Sequence, residues 1–335
     1  MNKVTRFISN ILFDKEIDLV SFPLKTNHQF WDSFVKIGSS HYVIPALYYK
    51  LKKRQFLKLL NNELVSYLKE IYNQNLKRNI ELVKESKEIS SVLKQNNIDH
   101  VFLKGTALIS SIYSDKLGVR MIGDIDILVE KSQILKAQEL IKKNNYVNLH
   151  KYDGLIGRHL PRLINDNKIF SIELHDLLIH KNCLHLNPNT LLRNKMVQKI
   201  NILNWKDFLL HIILNFQVND HGSLKANFSF RTLYDVYSLN KFNPKIFNQL
   251  DKSIHIEKLK LIISNLNVLN FNNSSILLFF KLRLYLKSNS LIYNTIESII
   301  INTILSANLN FLRIKEFIKN NEYRLHVLNK LGLIK

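Results

Sequence analysis

Hydrophobic positions in the first 97 residues recur at intervals of three and four, which is the spacing of one face of an α-helix. The clearest series consists of Phe56, Leu59, Leu60, Leu64, Leu68 and Ile71. A second helix is predicted over residues 74–95, where Asn96 and Asn97 end the pattern. We therefore expect residues 1–97 to form a helical N-terminal region.

Short apolar runs replace the helical pattern between residues 98 and 188. Runs of this length predict strands over residues 98–103, 124–129, 146–150 and 168–174. Helices are predicted over residues 106–113 and 132–143, the second with Ser132 as its N-cap and Asn144-Asn145 at its end. The sequence thus predicts an α+β core over residues 98–188.

The helical pattern returns from about residue 191, and no linker rich in glycine or proline separates it from the core. Residues 298–312 are apolar and free of charge, but the stretch is shorter than the roughly 20 residues of a membrane-spanning helix. We interpret it as a buried helix. Residues 189–335 are therefore expected to form a helical C-terminal region without a membrane span.

Two aspartates stand one residue apart in the second predicted strand. Side chains alternate along a strand, so Asp124 and Asp126 share one face, roughly 6.6 Å apart along the backbone, while Ile125 and Ile127 occupy the other. Two carboxylates this close require a cation, and Mg²⁺ bound by carboxylates and substrate phosphates is the usual one. The alternative is a solvated strand edge.

A glycine-containing turn, Lys104-Gly105-Thr106, follows the first predicted strand and precedes a helix. This arrangement points backbone N–H groups at a phosphate. Lys104 and Arg120 are candidate cationic partners of phosphate oxygens. Arg120 could instead be a structural partner of Asp124.

Glu173 supplies a third carboxylate. In the strand predicted over residues 168–174 it shares the polar face with Ser171 and His175. It could bind a second metal ion or take the proton of an acceptor hydroxyl, or it could pair with a surface lysine. His175, His180 and His185 recur every five residues, a spacing that fits neither a helical nor a strand-borne metal motif.

The cysteine content and the N-terminal residues indicate the cellular compartment of the protein. The single cysteine, Cys183, excludes a disulfide framework and a four-cysteine zinc site, which suits a reducing cytoplasm. The charged residues Asp14, Lys15 and Glu16 end the N-terminal apolar stretch, which is therefore too short for a signal peptide. We expect a cytoplasmic protein.

The formal net charge of +21 favours a polyanionic partner such as RNA or a nucleotide. The competing explanation is compositional, because lysines are spread along the whole chain and accompany abundant asparagine and isoleucine. Nucleic-acid binding is therefore possible but not favoured.

The motifs together resemble a bacterial family of uncharacterised nucleotidyltransferases, within the superfamily that includes kanamycin nucleotidyltransferase and DNA polymerase beta. The resemblance rests on Leu103-Lys104-Gly105, on Arg-x-x-Gly-Asp-Ile-Asp ending at Asp126, and on Ile172-Glu-Leu-His. Flanking patches at residues 41–47 and 231–235 extend it over about residues 25–240. Two departures are Gly105-Thr106 in place of Gly-Gly or Gly-Ser, and the nineteen positions from Gly105 to Asp124.

The resemblance implies a short mixed sheet backed by helices and an enzyme that moves a nucleoside monophosphate from an NTP, with ATP as the expected donor, to an acceptor hydroxyl. It implies Mg²⁺ or Mn²⁺ as cofactor and a small molecule, sugar or protein side chain as acceptor. A non-catalytic or RNA-binding protein that keeps the fold is the alternative. The implied catalytic and metal-binding residues are Asp124, Asp126 and Glu173, and the implied nucleotide-binding residues are Lys104, Gly105, Thr106 and Arg120.

Overall fold

A seven-stranded mixed sheet lies among helices contributed by both ends of the chain. The computed structural model describes residues 3–17, 22–23, 26–149, 158–179, 186–266, 268–269, 271 and 278–333. The α+β class is confirmed.

The N-terminal region is helical, as predicted. Its helices are α1 (Lys3–Leu12), α2 (His28–Ser40), α3 (Ile44–Lys53) and α4 (Asn62–Gln95). The two helices predicted over residues 56–95 are instead a 3₁₀ turn at Phe56–Leu59 and the single helix α4, because no glycine or proline interrupts residues 62–95. Helix α4 ends at the predicted place, and Asn97 takes the left-handed conformation with φ +56°.

The sheet has the strand order β3-β4-β5-β2-β1-β7-β6. Its strands are β1 (His100–Phe102), β2 (Asp124–Val129), β3 (Val147–Asn148), β4 (Leu163–Ile164), β5 (Ser171–His175), β6 (Met196–Val197) and β7 (Asn201–Ile202). Strand β2 lies at the centre, antiparallel to β1 and parallel to β5. Strands β4, β6 and β7 were not predicted, and the last two extend the sheet beyond residue 188.

Short helices connect the strands of the core. They are α5 (Lys104–Ser110), α6 (Ile134–Lys142) and α7 (Pro188–Arg193). Helix α5 starts at Lys104, two residues earlier than expected. The predicted N-cap of α6 is wrong, because Gln133 rather than Ser132 occupies the cap position and caps it without a side-chain hydrogen bond.

The C-terminal region contains α8 (Trp205–Leu214), α9 (Gly222–Lys225), α10 (Phe230–Phe242), α11 (Ile254–Asn265), α12 (Leu278–Asn289), α13 (Leu291–Lys319) and α14 (Asn321–Lys330). Residues 298–312, which we interpreted as a buried helix, are helical and belong to α13, but the prediction that they are buried is wrong. Ile299, Ile304 and Phe311 are exposed, although within the described residues α13 contacts α9, α12 and α14. No helix in the described part of the chain is long and apolar enough to cross a membrane.

Two buried asparagines of α4 hold the loop that leads into β2. The side-chain amide of Asn79 donates to the carbonyl oxygens of Leu117 at 2.6 Å and Arg120 at 2.8 Å. The amide of Asn75 donates to the carbonyls of Gly118 at 2.8 Å and Arg120 at 3.1 Å. The N-terminal helical region therefore fixes the approach to the Asp-x-Asp strand.

We expect Asn79→Ala to lower the free energy of unfolding by about 1–3 kcal/mol, because it removes a buried amide that donates to the carbonyls of Leu117 and Arg120. The measurement is urea unfolding followed by circular dichroism. Lys77→Ala, an exposed change on the same helix, is the control and should alter stability little. Equal stability of both variants would contradict a supporting role for Asn79.

Candidate active site

Both aspartates of the predicted pair line one cavity of about 620 Å³. Lys104, Gly105 and Arg120 line it too, whereas neither Thr106 nor Glu173 is part of its wall. The structure thus gathers five of the seven residues predicted for the site around one space. Their roles stay predictions.

The strand and the faces predicted for the two aspartates are confirmed. Strand β2 runs from Asp124 to Val129, and its Ile125 and Ile127 are fully buried in the core. In the parallel register with β5, Asp126 lies directly opposite Glu173. Like charges opposite each other in a sheet are destabilising unless cations compensate them.

Two hydrogen-bond donors compensate the charge of Asp126, which is only 2% exposed. The Nζ atom of Lys104 lies 2.6 Å from its Oδ1, and Nε2 of His175 lies 2.8 Å from the same atom. Burial alone would raise the pKa of Asp126, but these two neighbours lower it far below the usual range. Burial likewise opposes the charge on His175, yet its bonds to Asp126 and Glu173 raise the pKa of the imidazole.

Lys104 reaches Asp126 because of its backbone conformation. It has φ +47° at the junction between β1 and α5, a left-handed value that is unusual for a residue with a side chain. The preceding Leu103 N–H donates to the carbonyl oxygen of Asp126 at 2.9 Å, which extends the pairing of β1 with β2. The lysine therefore emerges beside the carboxylate that it neutralises.

Arg162 compensates the other two carboxylates. Its Nε donates to Oε1 of Glu173 at 2.5 Å, and its Nη2 donates to Oδ2 of Asp124 at 3.4 Å. Burial would raise the pKa of Glu173, but hydrogen bonds from His175 and Arg162 bring it down to about 2. Asp124 is the least compensated of the three, since burial and the nearby Asp126 raise its pKa to about 6.

The tightest set of potential metal ligands among the described residues is Asp126, Glu173 and His175, whose ligand atoms all lie within 4.8 Å of one another. The predicted set had Asp124 in the place of His175. Strand alternation already placed His175 on the same face as Glu173, which could have indicated a metal ligand. We rejected a metal role for the histidines because their five-residue spacing fits no metal motif. His180, Cys183 and His185 lie outside the described residues.

Two residues of the predicted phosphate turn are shaped by packing. A Cβ atom on Gly105 would lie 2.8 Å from Cγ1 of Ile122, so the glycine lets α5 pack against the loop before β2. Thr106 is fully buried, and its hydroxyl has no hydrogen-bond partner within the described part of the chain. Of these two residues, only Gly105 lines the cavity, where its backbone can face a ligand.

Arg120 pairs with Asp235 of α10, not with Asp124. Its Nε donates to both oxygens of Asp235 at 3.0 Å, and the hydroxyl of Tyr113 donates to Oδ1 of the same carboxylate at 2.9 Å. No salt bridge joins Asp235 to Arg231, four residues earlier on α10, among the described residues. Asp235 instead braces Arg120 at the cavity wall.

A mixed sheet that presents an Asp-x-Asp pair and a third carboxylate on the neighbouring parallel strand, beside a cation-lined cavity, defines a nucleotidyltransferase. A family model described as "Uncharacterised nucleotidyltransferase" matches residues 27–260. The match covers more than half of the chain, which therefore belongs to this family and is an enzyme that transfers nucleotidyl groups. Searches of curated proteins and of solved structures find no significant match.

The uneven charge compensation predicts opposite effects for the two aspartates in metal-free buffer. Because the folded state raises the pKa of Asp124, folded protein binds that proton more tightly than unfolded chain does, and stability falls as pH rises from about 4 to about 6. Asp124→Asn should therefore stabilise the fold at pH 7 by on the order of 2 kcal/mol. The gain should vanish near pH 4, where the carboxyl is protonated in both states.

Asp126→Asn is the matched variant, and it should change the stability of the fold in the opposite direction. Its carboxylate has a lowered pKa, so it stabilises the fold above about pH 4, and that contribution is lost as pH falls. The substitution leaves Lys104 and His175 without their anion and should destabilise at pH 7. Urea unfolding with a chelator across this pH range measures both, and equal effects of the two variants would contradict the assignment.

Proposed function

We propose that the protein transfers a nucleoside monophosphate from an NTP, with ATP as the expected donor, to a hydroxyl group of a small molecule, a sugar or a protein side chain. The observation that carries the proposal is the placement of Asp124 and Asp126 in the wall of a cavity of about 620 Å³. Binding sites for small molecules and cofactors occupy about 300–1,000 Å³. The cavity is therefore large enough for a nucleotide.

The carboxylates suit a divalent metal. Oxygen atoms of Asp124, Asp126 and Glu173 are the hard ligands that Mg²⁺ and Mn²⁺ prefer. The ion, when bound, would neutralise the phosphates of the donor and make the α-phosphorus more electrophilic. Because Lys104 and His175 keep Asp126 ionised, this carboxylate needs no deprotonation before it binds a cation.

The cavity wall also attracts phosphate. Five cationic side chains line it, against three carboxylates; the cations are Arg78, Lys104, Arg120, Arg162 and Arg231. Lys104, Arg120 and Arg162 already bind carboxylates. Arg78 and Arg231 form no salt bridge with any described residue, so their guanidinium groups can donate hydrogen bonds to a ligand in the cavity. The backbone of Gly105 at the start of α5 would face the same phosphates, whereas Thr106, the other residue predicted for this turn, is buried behind the wall.

Glu173 acts as a ligand or positioning group in this proposal. A general base works best when its pKa lies near the working pH. The pKa of Glu173 is about 2, which makes it a weak proton acceptor but a permanent anion. Its bonds to Arg162 and His175 hold it opposite Asp126, where it can orient a metal ion or an acceptor hydroxyl.

Mg²⁺ and NTP together should stabilise the fold more than either alone. Ligand at 100 times its dissociation constant contributes about 2.7 kcal/mol. The measurement is a thermal shift assay over the four NTPs with Mg²⁺ or Mn²⁺, with Asp124→Asn as the comparison variant that should lose most of the combined effect. Absence of a shift with every NTP and metal would favour a non-catalytic protein.

Glu173→Gln should leave Mg²⁺–NTP binding within a few-fold of the parent but slow nucleotidyl transfer by about 10-fold to 100-fold, the loss typical of a group that orients a metal site. The assay follows transfer of label from [α-³²P]NTP to a bacterial extract, separated into a protein fraction and a small-molecule fraction, which also distinguishes the acceptor classes. Glu139→Gln, an exposed glutamate on α6, is the control. Unchanged transfer by Glu173→Gln would remove Glu173 from the site.

A further inference from the structure

An exposed aromatic ring stands in the wall of the same cavity. Tyr42 occupies the short turn between α2 and α3 and is 52% exposed, although it lines the cavity together with Asp124 and Asp126. An aromatic ring exposed in a cavity wall offers a large amphipathic surface to a ligand. The local backbone explains why the ring of Tyr42 stands there.

The backbone of the turn directs the ring outward. Tyr42 has φ +56°, a left-handed value that is rare for a bulky residue. Its N–H donates to the carbonyl of Ser39 at 3.0 Å, and the next N–H, of Val43, donates to the carbonyl of Gly38 at 2.9 Å. These two bonds close the turn, which fixes the tyrosine in this strained conformation.

The adjacent His41 attaches the turn to the start of α10. Its ring stacks on Phe228 with a centroid distance of 5.4 Å, and its Nδ1 accepts a hydrogen bond from the N–H of Phe230 at 3.3 Å. Burial lowers the pKa of His41, in agreement with a neutral ring that accepts this bond. Because Arg231 follows Phe230, the attachment places Arg231 beside Tyr42.

Arg231 lies over the tyrosine ring, with its guanidinium carbon 5.0 Å from the ring centroid. This is a cation–π geometry, and the planar guanidinium can also stack on a ring. The nearby Asp235 is taken by Arg120, and no hydrogen bond occupies the guanidinium of Arg231 within the described residues. Its N–H donors thus face the cavity, available to a ligand.

We propose that Tyr42 and Arg231 form the subsite that binds the base of the nucleotide. This inference rests on the proposed function. The phosphates of an NTP would be drawn to the carboxylate-bound metal and the cations of the cavity, and the base is the planar group attached to them. The tyrosine offers a ring on which any base can stack. Asn215 and Asp220 in the same wall offer polar groups to the base edge.

The test compares two ligands that share the phosphates and differ in the base. Mg²⁺–ATP and Mg²⁺–tripolyphosphate are titrated by calorimetry into the parent, Tyr42→Ala and Tyr42→Phe. Loss of a stacking ring should weaken ATP binding by about 5-fold to 150-fold, the range found for removal of a stacking aromatic. Binding of tripolyphosphate to Tyr42→Ala should be unchanged, and Tyr42→Phe should bind ATP like the parent.

Tyr67→Ala is the matched control, since Tyr67 is an exposed tyrosine on α4 that does not line the cavity. Alanine keeps the Cβ atom, so Tyr42→Ala changes the backbone preference at φ +56° little, and thermal unfolding checks this. Unchanged ATP binding by Tyr42→Ala, or an equal loss for ATP and tripolyphosphate, would overturn the subsite.

The two proposals fail in distinguishable ways. If Asp124→Asn weakens Mg²⁺–ATP binding but Tyr42→Ala does not, the proposed function stands and the base subsite is wrong. If the parent binds neither ATP nor tripolyphosphate with Mg²⁺, both the function and the subsite are overturned.

Discussion

The parallel pairing of β2 with β5 is the constraint on which the site depends, because it sets Asp126 opposite Glu173 in a nearly dry interior. Two carboxylates cannot stay ionised there without cations. Lys104 supplies a cation and His175 a hydrogen bond to Asp126, and Arg162 supplies a cation to Glu173. These three residues come from different segments, so the charge balance connects the end of β1, the start of β4 and the end of β5.

This balance gives the two aspartates of one motif different chemistry. Lys104 and His175 both bind the carboxylate of Asp126, which stays ionised. Asp124 faces the cavity, and among the described residues it forms one long salt bridge, to Arg162. The elevated pKa of Asp124 means that its charge costs free energy in the protein alone. A cation bound in the cavity would remove that cost, so ligand binding and ionisation of Asp124 favour each other.

Local periodicity was sufficient to predict β2, the faces of β5 and the end of α4, because each depends on residues within a few positions. Strands β4, β6 and β7 have two residues each and are too short to show an alternating pattern. Contacts between residues far apart in the sequence could not be predicted from local periodicity either. The bond from Arg120 to Asp235 spans 115 positions, and the bond from Phe230 to His41 spans 189.

The exposed apolar side chains of α13 illustrate the same limit. A run of isoleucine and leucine predicts burial, but burial requires a partner surface, and the contacts of α13 with α9, α12 and α14 leave Ile299, Ile304 and Phe311 exposed. Hydrophobicity alone could not reveal which of these side chains a neighbouring helix covers.

The residues that line the cavity come from several parts of the chain. They run from Tyr42, before α3, to Arg231 at the start of α10, and thus include both helical flanks as well as the sheet. Helix α4 fixes the loop before β2, and α10 braces Arg120 through Asp235. The family match over residues 27–260 contains all of these elements and ends before α12. The flanking helices therefore build part of the cavity wall, whereas none of the described residues of α12, α13 and α14 lines it.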